Sequence, residues 1–190
     1  MKCITCENWS FFIICKSCQK NLLAPSLFRR QLDKDFNVYS FYSFEELETL
    51  LPSKYYFHGD KVFNILAKLS FAQFAKQFSY TQEVLALGVD DHTRHDFSHT
   101  AILSKHLRCE FIKPKFNKLR PTRIVKYAGK DLEFRQKNPR KFKLQDVHNQ
   151  AVILVDDIVT TGTTLLEAKK VCEKQGNEVL FALTLADAKL

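Results

Sequence analysis

Apolar and polar positions along this chain alternate between two periods. Val84 to Val89 and Val152 to Val155 are short, unbroken apolar runs, the pattern of strands buried on both faces. Phe36 to Phe44 mixes β-branched and aromatic residues and also reads as strand. From Asp60, a plausible N-cap, helical spacing places Val62, Phe63, Ile65, Leu66, Leu69 and Phe74 on one face, predicting one long helix through Phe78. Phe97 to Leu107 and Leu165 to Lys174 read as further helices, Glu110 to Ile112 as a short strand, and Glu178 to Leu185 as the last strand. Strands alternating with helices predict right-handed βαβ units and a mostly parallel sheet flanked by helices. Ligands in such sheets bind at the carboxyl ends of the strands, so the Val84 and Val152 strands are expected to open onto one crevice.

The Val152 strand is followed by Asp156-Asp157-Ile158-Val159-Thr160-Thr161-Gly162-Thr163-Thr164. A strand, a hydroxyl-rich loop and a helix N-terminus make a phosphate cradle, because free N–H groups and the helix dipole both favour an anion. Gly162 permits close backbone approach. The two carboxylates suit vicinal hydroxyls or a hydrated magnesium ion. An ordinary strand–turn–helix with a threonine cap explains the hydroxyls but not two adjacent acids after four buried positions. The stretch resembles the 5-phosphoribosyl-1-diphosphate (PRPP) motif of type I phosphoribosyltransferases. That resemblance implies that Asp156 and Asp157 hold the ribose hydroxyls and that Thr160, Thr161, Gly162, Thr163 and Thr164 wrap the 5-phosphate.

At the other end, Cys3-Ile-Thr-Cys6 and Cys15-Lys-Ser-Cys18 are two CxxC pairs eight residues apart. Four thiolates satisfy tetrahedral zinc and leave no open position, so Cys3, Cys6, Cys15 and Cys18 predict a structural zinc knuckle over residues 1–24. Disulfides fit less well, since nothing in the sequence marks a secreted chain. Cys109 and Cys172 stand in apolar contexts and read as reduced core residues. His92, His95 and His99 cluster without partner cysteines, weak evidence for a metal.

Charge changes the picture in the middle. The chain of 190 residues carries a formal +8, yet Lys105 to Lys143 holds 14 Lys or Arg against three acids, and the remainder is net negative. Phe111, Phe116, Tyr127, Phe134 and Phe142 are interleaved with those cations. Cations neutralise phosphates and aromatic faces stack unpaired bases, so single-stranded DNA is the expected macromolecular partner. Arg120, Arg123, Lys126, Arg135, Arg140 and Lys141 are the expected phosphate contacts, and Tyr127 and Phe134 the stacking rings. A solvated basic loop serving only a small ligand is the plainer reading. Residues 119–143 lack clean periodicity and contain Pro121, Gly129 and Pro139, which predicts a long mobile loop. No apolar run is long enough to span a bilayer, and a cytoplasmic location is expected.

Taken together, a four-cysteine knuckle on a phosphoribosyltransferase-like domain over residues 25–190 resembles the ComF (ComFC) family, associated with bacterial competence for DNA transformation. The family's helical lysine is matched by Lys68. Its segment after the first core strand keeps Phe97 and is otherwise largely changed, and its basic loop is matched at Arg120, Thr122, Arg135, Asn138 and Phe142, with Val125 in place of a glutamine and two extra residues between the threonine and the arginine. The resemblance implies a DNA-uptake accessory protein that binds PRPP with magnesium, Arg94 holding the diphosphate, alongside a competence helicase. It also leaves open an active phosphoribosyltransferase of unidentified acceptor, or a PRPP-sensing module that docks on a helicase-like partner.

Overall fold

A computed structural model describes residues 1–89, 97–123 and 140–190. Six strands form the central sheet: β1 (Phe28–Asp33), β2 (Phe36–Ser43), β3 (Val84–Gly88), β4 (Ile112–Lys115), β7 (Ala151–Val159) and β8 (Glu178–Asp187). Their spatial order is β1-β2-β8-β7-β3-β4. Every neighbouring pair is parallel except β1 and β2, an antiparallel hairpin at one edge. The fold is therefore the mostly parallel α/β sheet flanked by helices that the apolar runs predict.

Helices cover both faces, as a doubly buried sheet requires. On one face, α3 (Gly59–Leu69), α4 (Phe71–Gln77) and α5 (His99–Lys105) join Val84, Ala86, Ile153 and Val155 in one core. Ile13, Ile14 and Leu23 of the cysteine knuckle, whose helix α1 spans Lys16–Asn21, are buried in that same core against Phe41, Tyr42, Leu47 and Leu51. The Tyr42 hydroxyl donates to the Leu23 carbonyl at 3.0 Å. Short helix α2 (Phe44–Leu47) opens with a reciprocal Ser43–Glu46 capping box. On the opposite face, α6 (Thr163–Glu173) packs Leu165, Ala168 and Cys172 on Leu85, Leu87, Val152 and Leu154.

Five expectations need correction. The helix predicted from Asp60 to Phe78 is two helices, broken at Ser70, whose hydroxyl turns back to the Leu66 carbonyl at 2.7 Å. Asp60 lies in the first turn of α3 and His58 is its N-cap. The strand expected to end at Val155 runs to Val159 and contains both aspartates, because β8 continues beside it to Asp187. The ends of the basic segment are ordered: β5 (Leu119–Pro121) and β6 (Phe142–Leu144) form an antiparallel ribbon that buries Leu119, Phe142 and Leu144. Phe142 is thus a core residue. The short strand expected at 110–112 falls instead at Ile112–Lys115. The mobile loop predicted between these ribbon strands falls mostly on residues 124–139, outside those described.

Candidate sugar-phosphate site and cysteine knuckle

The cradle is built by one change of direction. After Val159 the chain leaves the sheet through Thr160 and Thr161, and Gly162 adopts φ +82° to start α6. A left-handed residue costs an L side chain about 1–2 kcal/mol. A Cβ there would also stand 2.7 Å from Leu32 of β1. Gly162→Ala is expected to lower stability by about 2 kcal/mol or more in urea melts, whether or not a ligand binds. The Thr161 and Thr163 hydroxyls lie 2.9 Å apart, and Asp156, Ile158 and residues 159–165 line one shallow depression over the helix start. Arg30 braces the loop from β1, donating to the Thr160 carbonyl at 2.9 Å while pairing with buried Asp187 at 2.7 Å.

The two aspartates are electrically unlike. Asp157 is 4% exposed. Its Oδ2 pairs with Lys54 Nζ at 2.5 Å, and its Oδ1 lies 3.9 Å from His99 Nε2. Burial opposes its charge, but the Lys54 ammonium outweighs burial, with His99 adding to it, and holds the carboxyl well below the usual range. Asp156 is pushed well above that range, by burial first and then by the charge of Asp157. Its Oδ1 accepts from the Asp157 backbone N–H at 2.9 Å. The ligating atoms of His99, Asp156 and Asp157 all lie within 4.8 Å of one another.

Lys54 is the residue that sequence reasoning missed. It sits on a 3-10 turn, Leu51–Tyr55, far from any motif. Lys68, the lysine matched by resemblance, lies near the end of α3 on its exposed surface. His99 is brought to the acids by the start of α5, where Ser98 caps the helix by accepting from Ala101 N–H. His92, His95 and Arg94 lie outside the described residues.

The basic ribbon is tied to the cradle helix. Glu167 of α6 accepts from the backbone N–H groups of Arg140 at 3.1 Å and Lys141 at 2.6 Å. Arg140 is half-buried, and its charge acts on Asp156. Of the expected DNA contacts, Arg140 therefore belongs to the surroundings of the acid pair, while Arg120, Arg123 and Lys141 are exposed. Lys126, Tyr127, Phe134 and Arg135 lie outside the described residues.

The four knuckle cysteines are free thiols whose sulfurs all lie within 4.8 Å of one another. Cys3 and Cys18 Sγ are 4.0 Å apart and Cys6 and Cys15 Sγ 3.7 Å. Tetrahedral zinc with bonds of about 2.3 Å spaces its sulfurs by about 3.8 Å, so the cluster has the dimensions of a zinc site. Backbone N–H groups of Cys15 and Cys18 point at Cys3 and Cys15 sulfurs, at 3.3 and 3.4 Å. Burial disfavours the Cys3 thiolate, yet backbone N–H groups led by that of Cys15 bring it down to about 6.

Comparison with known proteins agrees with this geometry. The family described as phosphoribosyl transferase domain matches residues 102–189, which include the strand, the cradle and α6. Residues 102–189, a little under half of the chain, are thus similar to a phosphoribosyltransferase domain. Orotate phosphoribosyltransferase of Methanopyrus kandleri is 48% identical over 42 residues, 22% of this chain and 23% of that protein. The transcriptional regulator GfcR of Methanosphaera stadtmanae is 39% identical over 44 residues, 23% of this chain and 22% of that one. The matches thus span under a quarter of the length of these curated relatives. A hypoxanthine phosphoribosyltransferase from Staphylococcus aureus superposes with a TM-score of 0.40 at 16% identity, covering 67% of this chain and 64% of that one.

Proposed function

We propose that this protein binds PRPP, or a closely related sugar phosphate, in the β7–α6 cradle, and handles single-stranded DNA in the cytoplasm during natural transformation. The observation that carries the ligand is the pairing of Asp156 with residues 160–164 around one depression at a helix N-terminus. Exposed N–H groups and threonine hydroxyls suit a 5-phosphate, and carboxylate oxygens beside them suit the ribose hydroxyls. Magnesium, when present, would neutralise the diphosphate, with Arg94 as its expected protein partner. The knuckle cysteines would hold one structural zinc, as their sulfur spacing allows.

Transfer chemistry is not required by this reading. Short stretches of this chain are similar both to an orotate phosphoribosyltransferase and to a transcriptional regulator, so such similarity does not by itself imply a reaction. An active phosphoribosyltransferase of unidentified acceptor is the second reading, and the short orotate phosphoribosyltransferase match is compatible with it. A competence helicase is the proposed protein partner, on family resemblance.

The DNA part of the proposal rests on the basic segment and the exposed positions of Arg120, Arg123 and Lys141 on the ribbon base. Short single strands should bind with an affinity that falls as salt rises, by about 0.7 log units per log unit of salt for each phosphate contact. The Arg120→Ala, Lys141→Ala double variant should lower that slope by about 1.4, measured by fluorescence anisotropy across a salt series. An unchanged slope and affinity would remove this face from the DNA-binding reading.

A further inference from the structure

Lys54 occupies a position that the cradle motif does not specify. Its ammonium lies 2.5 Å from Asp157 Oδ2, on the acid that also faces His99. The side chain is 18% exposed and is delivered by a constrained turn. Pro52 starts that turn, Ser53 N–H donates to the Leu50 carbonyl at 3.0 Å, and Tyr56 N–H donates to the Ser53 carbonyl at 2.9 Å. Gly59 lets α3 begin directly against the turn, since a Cβ there would stand 2.1 Å from the Ser53 carbonyl oxygen. On its far side the turn borders the knuckle, where Ile4, Thr49, Ser53, Tyr56 and His58 line a cleft of about 170 Å³. A lysine held from so many directions is not a surface side chain that happens to meet an acid.

The cluster of His99, Asp156 and Asp157 has the donor set of a divalent-cation site. One positive charge is already present in it. An ammonium paired with Asp157 cancels most of the field that would draw a hydrated divalent ion to these oxygens. Asp156, the acid that lines the cradle depression, has no ammonium paired with it among the described residues: its Oδ1 accepts from the next backbone N–H, its carboxyl shares a hydrogen bond with Asp157, and the charge of Arg140 acts on it from the ribbon.

We propose that Lys54 is a further binding residue of this site, the resident cation of the acid pair, which occupies Asp157 so that a neutral vicinal diol is received at Asp156 without a divalent ion bound to the carboxylates. The identity of the diol as a ribose rests on the sugar-phosphate reading above; the role of Lys54 does not. Any magnesium that accompanies a diphosphate is then held by the diphosphate and not by the aspartates.

Manganese, a paramagnetic probe for divalent-cation sites, tests this without any sugar phosphate. Zinc-loaded wild type, Lys54→Met, Lys54→Arg, Asp157→Asn and the Lys54→Met, Asp157→Asn double variant are titrated with Mn²⁺ and followed by electron paramagnetic resonance. Lys54→Met should gain one Mn²⁺ site at least tenfold tighter than any in the wild type. The added Asp157→Asn change should abolish it, and Lys54→Arg should behave like the wild type. A wild-type Mn²⁺ site that Asp157→Asn removes would overturn the proposal, and this arm stands even if Lys54→Met fails to fold. Equal Mn²⁺ affinity in wild type and a folded Lys54→Met would overturn it too. A separate PRPP titration of the same proteins distinguishes failure of the ligand reading: no PRPP binding in any variant counts against the sugar phosphate and leaves the Mn²⁺ result to decide the role of Lys54.

Discussion

Loss of metal from the cysteine knuckle is expected to destabilise the whole protein and not only its first residues. Cys3, Ile13, Ile14, Cys18 and Leu23 are buried in the same core as Phe41, Tyr42, Leu47 and Leu51, so the knuckle closes one side of the sheet's main hydrophobic layer. A segment this short has no core of its own, and in the proposed zinc knuckle thiolate–metal bonds would supply its folding free energy. Without them, Ile14 and Leu23 return to water at about 1.5–3 kcal/mol each, and the Tyr42 hydroxyl loses its carbonyl. Cys18→Ser should lower stability by more than about 3 kcal/mol, which is roughly 6–12 °C in melting temperature for a chain of this size. Thermal melts combined with zinc analysis check it. Unchanged melting in a zinc-free protein would show that the sulfurs bind nothing that matters to folding.

Adjacent aspartates should respond to substitution in opposite ways. Asp157→Ala strands the Lys54 ammonium in a site where it is mostly buried, and breaking such a pair costs roughly 3–5 kcal/mol. Asp156→Asn should be neutral or stabilising at pH 7, since the fold already disfavours a charge at that position. The pH dependence follows from the same directions. Asp157 is held below its ordinary value, so its contribution is complete above the usual aspartate range near 4 and is lost as pH falls below it. Asp156 is held above its ordinary value, so it favours folding on the acid side and its charge costs stability once pH rises through the raised value. Urea melts of both variants between pH 3 and pH 7 separate the two. Equal destabilisation of both at pH 7 would contradict the assignment of Lys54 to Asp157 alone.

The sequence carries the strands that are buried on both faces, because four or five consecutive apolar residues have few other uses. It conceals what depends on distant partners. β1 reads as polar surface, Phe-Arg-Arg-Gln-Leu-Asp, since an edge strand exposes most of its side chains; yet Arg30 and Leu32 within it shape the cradle loop. The extension of β7 through Asp156 and Asp157 could not be read locally, because the strand is continued by pairing to β8 and Asp157 is balanced by a lysine 103 positions away. Apolar spacing continues unbroken across Ser70, so periodicity joined two helices that a hydroxyl back-bond separates. Lys54 offers only the proline before it and the glycine after it as signals of a fixed turn, and neither indicates where the ammonium goes. The cysteine pairs and the threonine-glycine loop were legible because their chemistry is local: close spacing alone brings their groups together.

Isothermal titration of PRPP with magnesium into wild-type protein and into Asp156→Asn tests the sugar-phosphate site most directly, because that variant is expected to fold as well as the wild type. Each charge-assisted hydrogen bond lost is worth about 1.5–3 kcal/mol, so affinity should fall by about tenfold or more in the variant. Binding of equal strength in both proteins, or no binding to the wild type, would contradict the placement of the ligand at Asp156 and the β7–α6 cradle.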